Sequence, residues 1–156
     1  MKDKIFYFAY GSNTNEQQMF NRLGYVTSIG NGTVDGYKIS FDENVNGGVF
    51  ANIIKNDNYK LHGHVYMLTL EQLYILDCFE GVPNVYERID LNVNIFGESI
   101  KSISYMMNKP KSINKKPSKK YLNKIHAGYS YHDLPFKQLG DVKHEGICIR
   151  YIKKWL

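Results

Sequence analysis

Residues 5–13 read IFYFAYGSN. Ile5 to Tyr10 is a short apolar run, β-branched and aromatic, which is the pattern of a buried strand. It breaks at Gly11-Ser12-Asn13, and TNEQQMFNRLG (14–24) continues with helical spacing. Asn13 or Thr14 would cap that helix, Glu16 would sit in its first turn, and Gly24 would end it. The first N–H groups of a helix have no partner within it, and the helix dipole is positive at that end. A strand–glycine–helix junction therefore suits a carboxylate or a polarised carbonyl oxygen. Any such connection also needs a turn for purely structural reasons.

Strand signals follow on both sides of a second helix. YVTSIGNGTVDGYKISF (25–41) carries Asn31-Gly32 and Asp35-Gly36, which predict turns between apolar runs. GGVFANIIKN (47–56) and KLHGHVYML (60–68) predict a hairpin around Asp57 and Asn58. TLEQLYILDCFEG (69–81) predicts a helix capped by Thr69 and stopped by Gly81, with Leu70, Leu73, Tyr74 and Asp77 on one face. YERIDLNVNIF (86–96) and KSISYMM (101–107) predict a strand pair around Gly97. PSKKYLNKIHAGYSYHDLP (117–135) predicts a third helix from Pro117 or Ser118 to about Gly128, and HEGICIRYIKKWL (144–156) a last strand or surface strap. Strand clusters are not interleaved with helices, so an α+β fold is expected rather than a doubly wound sheet. At 156 residues, with no linker or repeat, one domain spanning 1–156 is expected.

The net charge of +5 is local in origin. Residues 101–124 hold eight lysines and no acid, so the rest of the chain stands near −3 (5 − 8). Such a run is usually a solvated surface. It lacks the arginine–aromatic interleaving that would point to nucleic acid. Lys109 to Ser118 reads as a flexible stretch. Cys78 and Cys148 form neither a metal pattern nor a disulfide framework, and Cys78 reads as packed in its helix. No segment approaches the ~20 apolar residues of a membrane span, and the N-terminal apolar run is too short for a signal peptide. A cytoplasmic protein with no membrane partner is expected. The oligomeric state is open, with a homodimer as one option.

Two places carry possible chemistry besides the loop. Glu80 falls at a helix C-terminus, where the dipole disfavours a carboxylate. Phe79, Val82 and Pro83 would restrict its water. Both effects raise a carboxyl pKa toward the range of a general acid/base, and an exposed helix-end glutamate is the alternative. Asp77 would be a structural partner of a backbone amide or of Arg88. His62 and His64 alternate along a strand and so face one side, but two histidines without a third ligand are thin for a metal. His126, His132 and His144 lie scattered.

YFAYGSN (7–13), GGVFANIIK (47–55), LDCFEGVPNVYER (76–88) and PSKKYLNKIHAGYSYHDLP (117–135) resemble, in order and spacing, the γ-glutamylcyclotransferase family. The likeness spans about residues 5–135. It implies a small mixed β-barrel with about three packed helices. It also implies an enzyme that cyclises a γ-glutamyl group by acyl transfer, releasing 5-oxoproline and a free amine or amino acid, with no metal or organic cofactor. Glu80 would be the catalytic acid/base. Tyr10, Gly11, Ser12 and Asn13 would form the substrate-binding loop, Gly11 letting its backbone present N–H donors, and Tyr86, Tyr105 and Tyr121 would line the pocket. Tyr129 and Tyr131 stand where the family reads Ala and Glu, which bears on the leaving group. If the lysine run fronts the pocket, anionic leaving groups are favoured. Two alternatives stand beside this reading. One is removal of a γ-glutamyl protecting group from a biosynthetic intermediate such as an aminoglycoside. The other is a non-catalytic module that binds a small carboxylate.

Overall fold

The computed structural model describes residues 3–140. The last-strand expectation for 144–156, with His144 and Cys148, lies outside them. Among the described residues, five strands close into a barrel in the order β1-β3-β2-β4-β5, with three α-helices around it. The strands are β1 Lys4–Ala9, β2 Thr27–Glu43, β3 Val49–Thr69, β4 Tyr86–Ile95 and β5 Glu98–Met107; the helices are α1 Glu16–Leu23, α2 Leu70–Glu80 and α3 Lys119–His132. The one parallel contact, Tyr7 beside Ile103, closes β1 onto β5; the other neighbours are antiparallel. This is the α+β class read from the strand and helix signals, with the β-barrel and packed helices that the family resemblance implies.

Side-chain alternation along the strands sets the packing. In β4, Leu91, Val93 and Ile95 are buried while Asn92 and Asn94 are exposed. Phe8 and Val65 join the cluster that α3 covers with Leu122 and Ile125. Their neighbours Tyr7, Ala9 and Tyr66 face the other way, onto Met19 of α1 and onto Leu73 and Leu76 of α2.

Several local expectations are corrected. The Asn31-Gly32 and Asp35-Gly36 turns do not form, and neither does the hairpin at Asp57. β2 and β3 are each continuous and pair along almost their whole length, with register shifts at Ser28/Gly30 and Asp35/Tyr37. Gly36 sits in the second irregularity at φ +82°, a conformation that L side chains rarely adopt. The turn that joins β2 to β3 is instead Asn44–Gly48, where the Asn44 side chain accepts from the N–H groups of Asn46 and Gly48.

Helix α1 is capped by Asn15, whose side chain accepts from the Gln18 N–H, rather than by Asn13 or Thr14. Those two lie in a 3-10 turn, Ser12–Thr14. Helix α2 has the expected Thr69 cap, with Gln72 completing a capping box, and the expected Gly81 stop. Its buried residues, however, are Leu73 and Leu76; Leu70 and Tyr74 are exposed. Cys78 is also exposed rather than packed.

Helix α3 begins after Ser118 but runs past Gly128 to His132. Gly128 is a packing residue: a Cβ there would lie 2.3 Å from Thr14 Oγ1 and 2.6 Å from the Asn15 nitrogen. The loop before α3 is pinned to β2 rather than loose. Lys111 and Lys115 donate backbone N–H groups to the carbonyls of Glu43 and Phe41. Asn114 donates to the carboxylate of fully buried Asp42.

Candidate functional site

The junction at Gly11 opens into a pocket with two nested parts. The inner cup, ≈ 40 Å³, is walled by the loop residues Tyr10 to Asn13, by Glu80, and by Tyr86, Tyr105 and Tyr121. All eight residues singled out from the sequence therefore meet in one place. Tyr7 and Ala51 complete the wall and were not foreseen. Outside lies a vestibule of ≈ 390 Å³ that shares Ser12, Glu80, Tyr86 and Tyr121 with the cup. It adds Arg22 and Gln18 from α1, Asn44 and Asn46 from the β2–β3 turn, and Lys124 from α3. Of the eight lysines in 101–124, Lys124 is the one that lines this space among the described residues.

Glu80 ends α2 and turns its carboxylate into the cup. Asn13 Nδ2 donates to its Oε1 at 2.8 Å, and Arg22 Nη1 stands 3.4 Å from the same oxygen. No protein donor reaches Oε2 among the described residues, and Glu80 lines both the cup and the vestibule. Burial raises the Glu80 pKa above its ordinary value, against the lowering effects of Arg22 and of the Asn13 hydrogen bond. Of the three residues expected to shield it, Val82 is partly buried, but the other two are not. Phe79 is half exposed, with the Arg22 guanidinium 4.9 Å from its ring centre, and Pro83 is exposed. The aromatic walls of the cup exclude water instead.

Asn13 organises this corner. Its amide nitrogen also donates to the Tyr7 hydroxyl at 2.9 Å. Its oxygen accepts from Gln18 at 3.0 Å and from Arg22 at 3.1 Å. Gln18 reaches the Ser12 hydroxyl as well, at 2.8 Å.

The N–H groups of Gly11, Ser12 and Asn13 have no protein acceptor among the described residues. Gly11 itself has φ −109°, so a left-handed conformation is not the reason for glycine here. The reason is contact: a Cβ would stand 3.1 Å from the Ala51 Cβ and 3.7 Å from the Tyr121 hydroxyl. Glycine lets the loop lie against β3.

The tyrosines are tied to backbone. Tyr10 donates to the Tyr105 carbonyl and Tyr86 to the Ala51 carbonyl, both at 2.6 Å. Tyr105 donates to Asp77 at 2.7 Å, and Arg88 pairs with the same carboxylate, so Asp77 has the structural role expected of it. Three hydroxyls have thus committed their protons and can only accept from a ligand. Tyr121 differs: it accepts the Ala51 N–H at 2.9 Å and touches the Ser12 hydroxyl. Burial pushes all four phenols up, so they stay neutral near pH 7.

Tyr129 and Tyr131 do not border the pocket. Tyr129 is fully buried and donates to the Tyr10 carbonyl at 2.6 Å, bracing the loop from behind; Tyr131 is exposed. Arg22 and Tyr7 were missed for different reasons. Tyr7 is hidden in a run read as core, although alternation with Phe6 and Phe8 puts it on their opposite face. Arg22 carries no local signal on the polar side of α1.

The sequence profile of the gamma-glutamyl cyclotransferase, AIG2-like family matches residues 7–128. No curated protein sequence matches the chain significantly. Among solved structures, an uncharacterised protein from Homo sapiens superposes with TM-score 0.82 at 24% identity, over 94% of this chain and 92% of that one. A gamma-glutamyl cyclotransferase gives TM-score 0.82 at 23% identity, over 99% and 100%. A protein from Arabidopsis thaliana gives TM-score 0.58 at 26% identity, over 68% and 70%.

Proposed function

This chain belongs to the gamma-glutamyl cyclotransferase, AIG2-like family, and from that premise we propose that it converts a γ-glutamyl amide into 5-oxoproline and a free amine, with Glu80 moving both protons. The observation that carries the reading is the Glu80 carboxylate, held by Asn13 through one oxygen and lining the cup beside the 11–13 loop.

A γ-glutamyl amide brings its own nucleophile. Its α-ammonium must lose a proton before the nitrogen attacks the γ-carbonyl carbon. Five-membered ring closure then depends on how the substrate is folded, which a close-fitting cup controls. Glu80 takes the proton. As the C–N bond to the leaving amine breaks, Glu80 gives that proton to the departing nitrogen. The ring nitrogen, which still carries two hydrogens after its attack, releases one to Glu80 to leave the neutral lactam; that last proton ends on the departed amine as its ammonium. A carboxyl pKa raised by burial narrows the gap to the ammonium and helps the first transfer. The unengaged N–H groups of the 11–13 loop are suited to the substrate α-carboxylate or the developing oxyanion. The committed hydroxyls of Tyr10, Tyr86 and Tyr105 are suited to accept from the α-ammonium. The Arg22 and Lys124 side chains in the vestibule disfavour a polycationic leaving group such as an aminoglycoside.

The test is release of 5-oxoproline, detected by mass, from a panel of γ-glutamyl amino acids, peptides and amines. Wild type should release it, and Glu80→Gln should lose about 10²–10⁴-fold in kcat. Binding of panel members without release by wild type would instead favour a carboxylate-binding module.

A further inference from the structure

Behind the 12–14 turn, on the side away from the cup, three side chains from distant parts of the sequence converge. They are Glu16 in the first turn of α1, His64 in β3 and His132 at the end of α3. One ligand atom from each lies within 4.8 Å of the other two. His64 is 4% exposed and the His132 side chain 6%.

The protonation pattern is readable from the neighbours. Asn31 donates its amide to the His132 carbonyl at 2.6 Å, so its oxygen is what faces His64 Nδ1 at 2.8 Å. Nδ1 of His64 therefore carries the proton, and Nε2 holds a lone pair, which the Ser28 hydroxyl meets at 2.5 Å. His132 is bonded to the Thr14 backbone, while its Nε2 is buried with no hydrogen-bond partner. The bonded nitrogen is then Nδ1, donating to a carbonyl, and Nε2 is a bare acceptor in the neutral ring. Glu16 Oε1, another acceptor, stands 3.5 Å from it. Two acceptors 3.5 Å apart, the imidazole one buried without a partner, are best served by a cation between them. A proton shared between His132 and Glu16 is the alternative, and titration with metal separates the two.

We propose that Glu16, His64 and His132 form a site for a divalent d-block cation, zinc foremost, that fastens α1 and α3 to the barrel. Two imidazoles and a carboxylate are a donor set zinc accepts, with bonds near 2.0–2.2 Å. Closing from 4.8 Å requires small rotations of the three side chains and some splaying of the stacked rings. The Asn31–Nδ1 and Thr14–Nδ1 hydrogen bonds are the kind of outer contacts that fix ligand imidazoles. Ser28 or water would supply the remaining oxygen. The pairing of His62 with His64 is not what makes the site: the third and second ligands come from α1 and α3, which sequence spacing does not bring together.

The experiment uses the full chain after chelator treatment. Zn²⁺ is titrated by calorimetry, and Co²⁺ by its visible ligand-field absorption, which reports coordination directly. Wild type and Glu80→Gln should bind one ion per chain. Glu16→Gln and His132→Gln should weaken binding by at least about tenfold and lose the Co²⁺ bands. Should His132→Gln fail to fold, Glu16→Gln decides, since Glu16 is partly exposed. Absence of saturable binding by wild type overturns the proposal. So does binding that is unchanged in the variants, which would place the ion elsewhere.

Discussion

Asn13 Nδ2 lies 2.8 Å from Glu80 Oε1, a hydrogen bond across 67 positions that joins the loop after β1 to the end of α2. The same nitrogen holds Tyr7, and Arg22 touches both partners. The carboxylate is therefore aimed by the loop that borders the cup.

Asn13→Ala should lower kcat for 5-oxoproline release by up to about 10²-fold, the cost of an ångström-scale misplacement. Asn13 and Arg22 both lower the Glu80 pKa. Removing either should raise it and shift the acidic limb of the pH–rate profile upward. A limb that stays in place in Asn13→Ala and Arg22→Gln would separate it from Glu80.

Glu80 has a folded-state pKa above its ordinary value. A group raised in this way contributes its stability below the unfolded pKa and loses it as pH rises through the folded one. Glu80→Gln, although impaired in catalysis, should therefore be no less stable than wild type near pH 7. The difference in melting temperature should open as pH rises from about 4.3, the unfolded glutamate value, and level off above the folded pKa. Melts across that window check the sign.

Gly128→Ala would push a methyl group into Thr14 Oγ1 at 2.3 Å. Overpacking of this kind costs about 1–3 kcal/mol. Because Thr14 follows Asn13, the variant should also lose activity, and denaturant melts paired with the release assay would show both.

Lys124→Glu reverses the charge at the vestibule. KM for γ-glutamyl substrates with anionic leaving groups should rise by roughly fivefold, equivalent to about 1 kcal/mol for a solvated contact, and the effect should fade with added salt. Neutral leaving groups should be unaffected.

The sequence was most legible where one segment decides its own structure. β1, the break at Gly11, and α2 between Thr69 and Gly81 follow from local caps, glycines and apolar spacing. β2 and β3 were not legible as continuous strands, because pairing with each other carries them through Gly30, Gly36 and the polar residues 56–60, where local turn signals pointed the other way. Gly128 read as a stop because its contact with Thr14 is tertiary. The residues of the cup were legible through the family's motifs, whereas Arg22 and the convergence of Glu16, His64 and His132 depend on how α1 and α3 dock.

The cup and the vestibule meet at Ser12, Glu80, Tyr86 and Tyr121, and are otherwise built from different pieces. The β2–β3 turn and Lys124 touch none of Glu80's hydrogen-bond partners, so they can change sequence while the proposed ring-closing geometry stays as it is, whereas Arg22 and Gln18 cannot. Selectivity for the departing amine becomes a separable trait, open to redesign at Asn44, Asn46 and Lys124 in a protein whose chemistry is left alone.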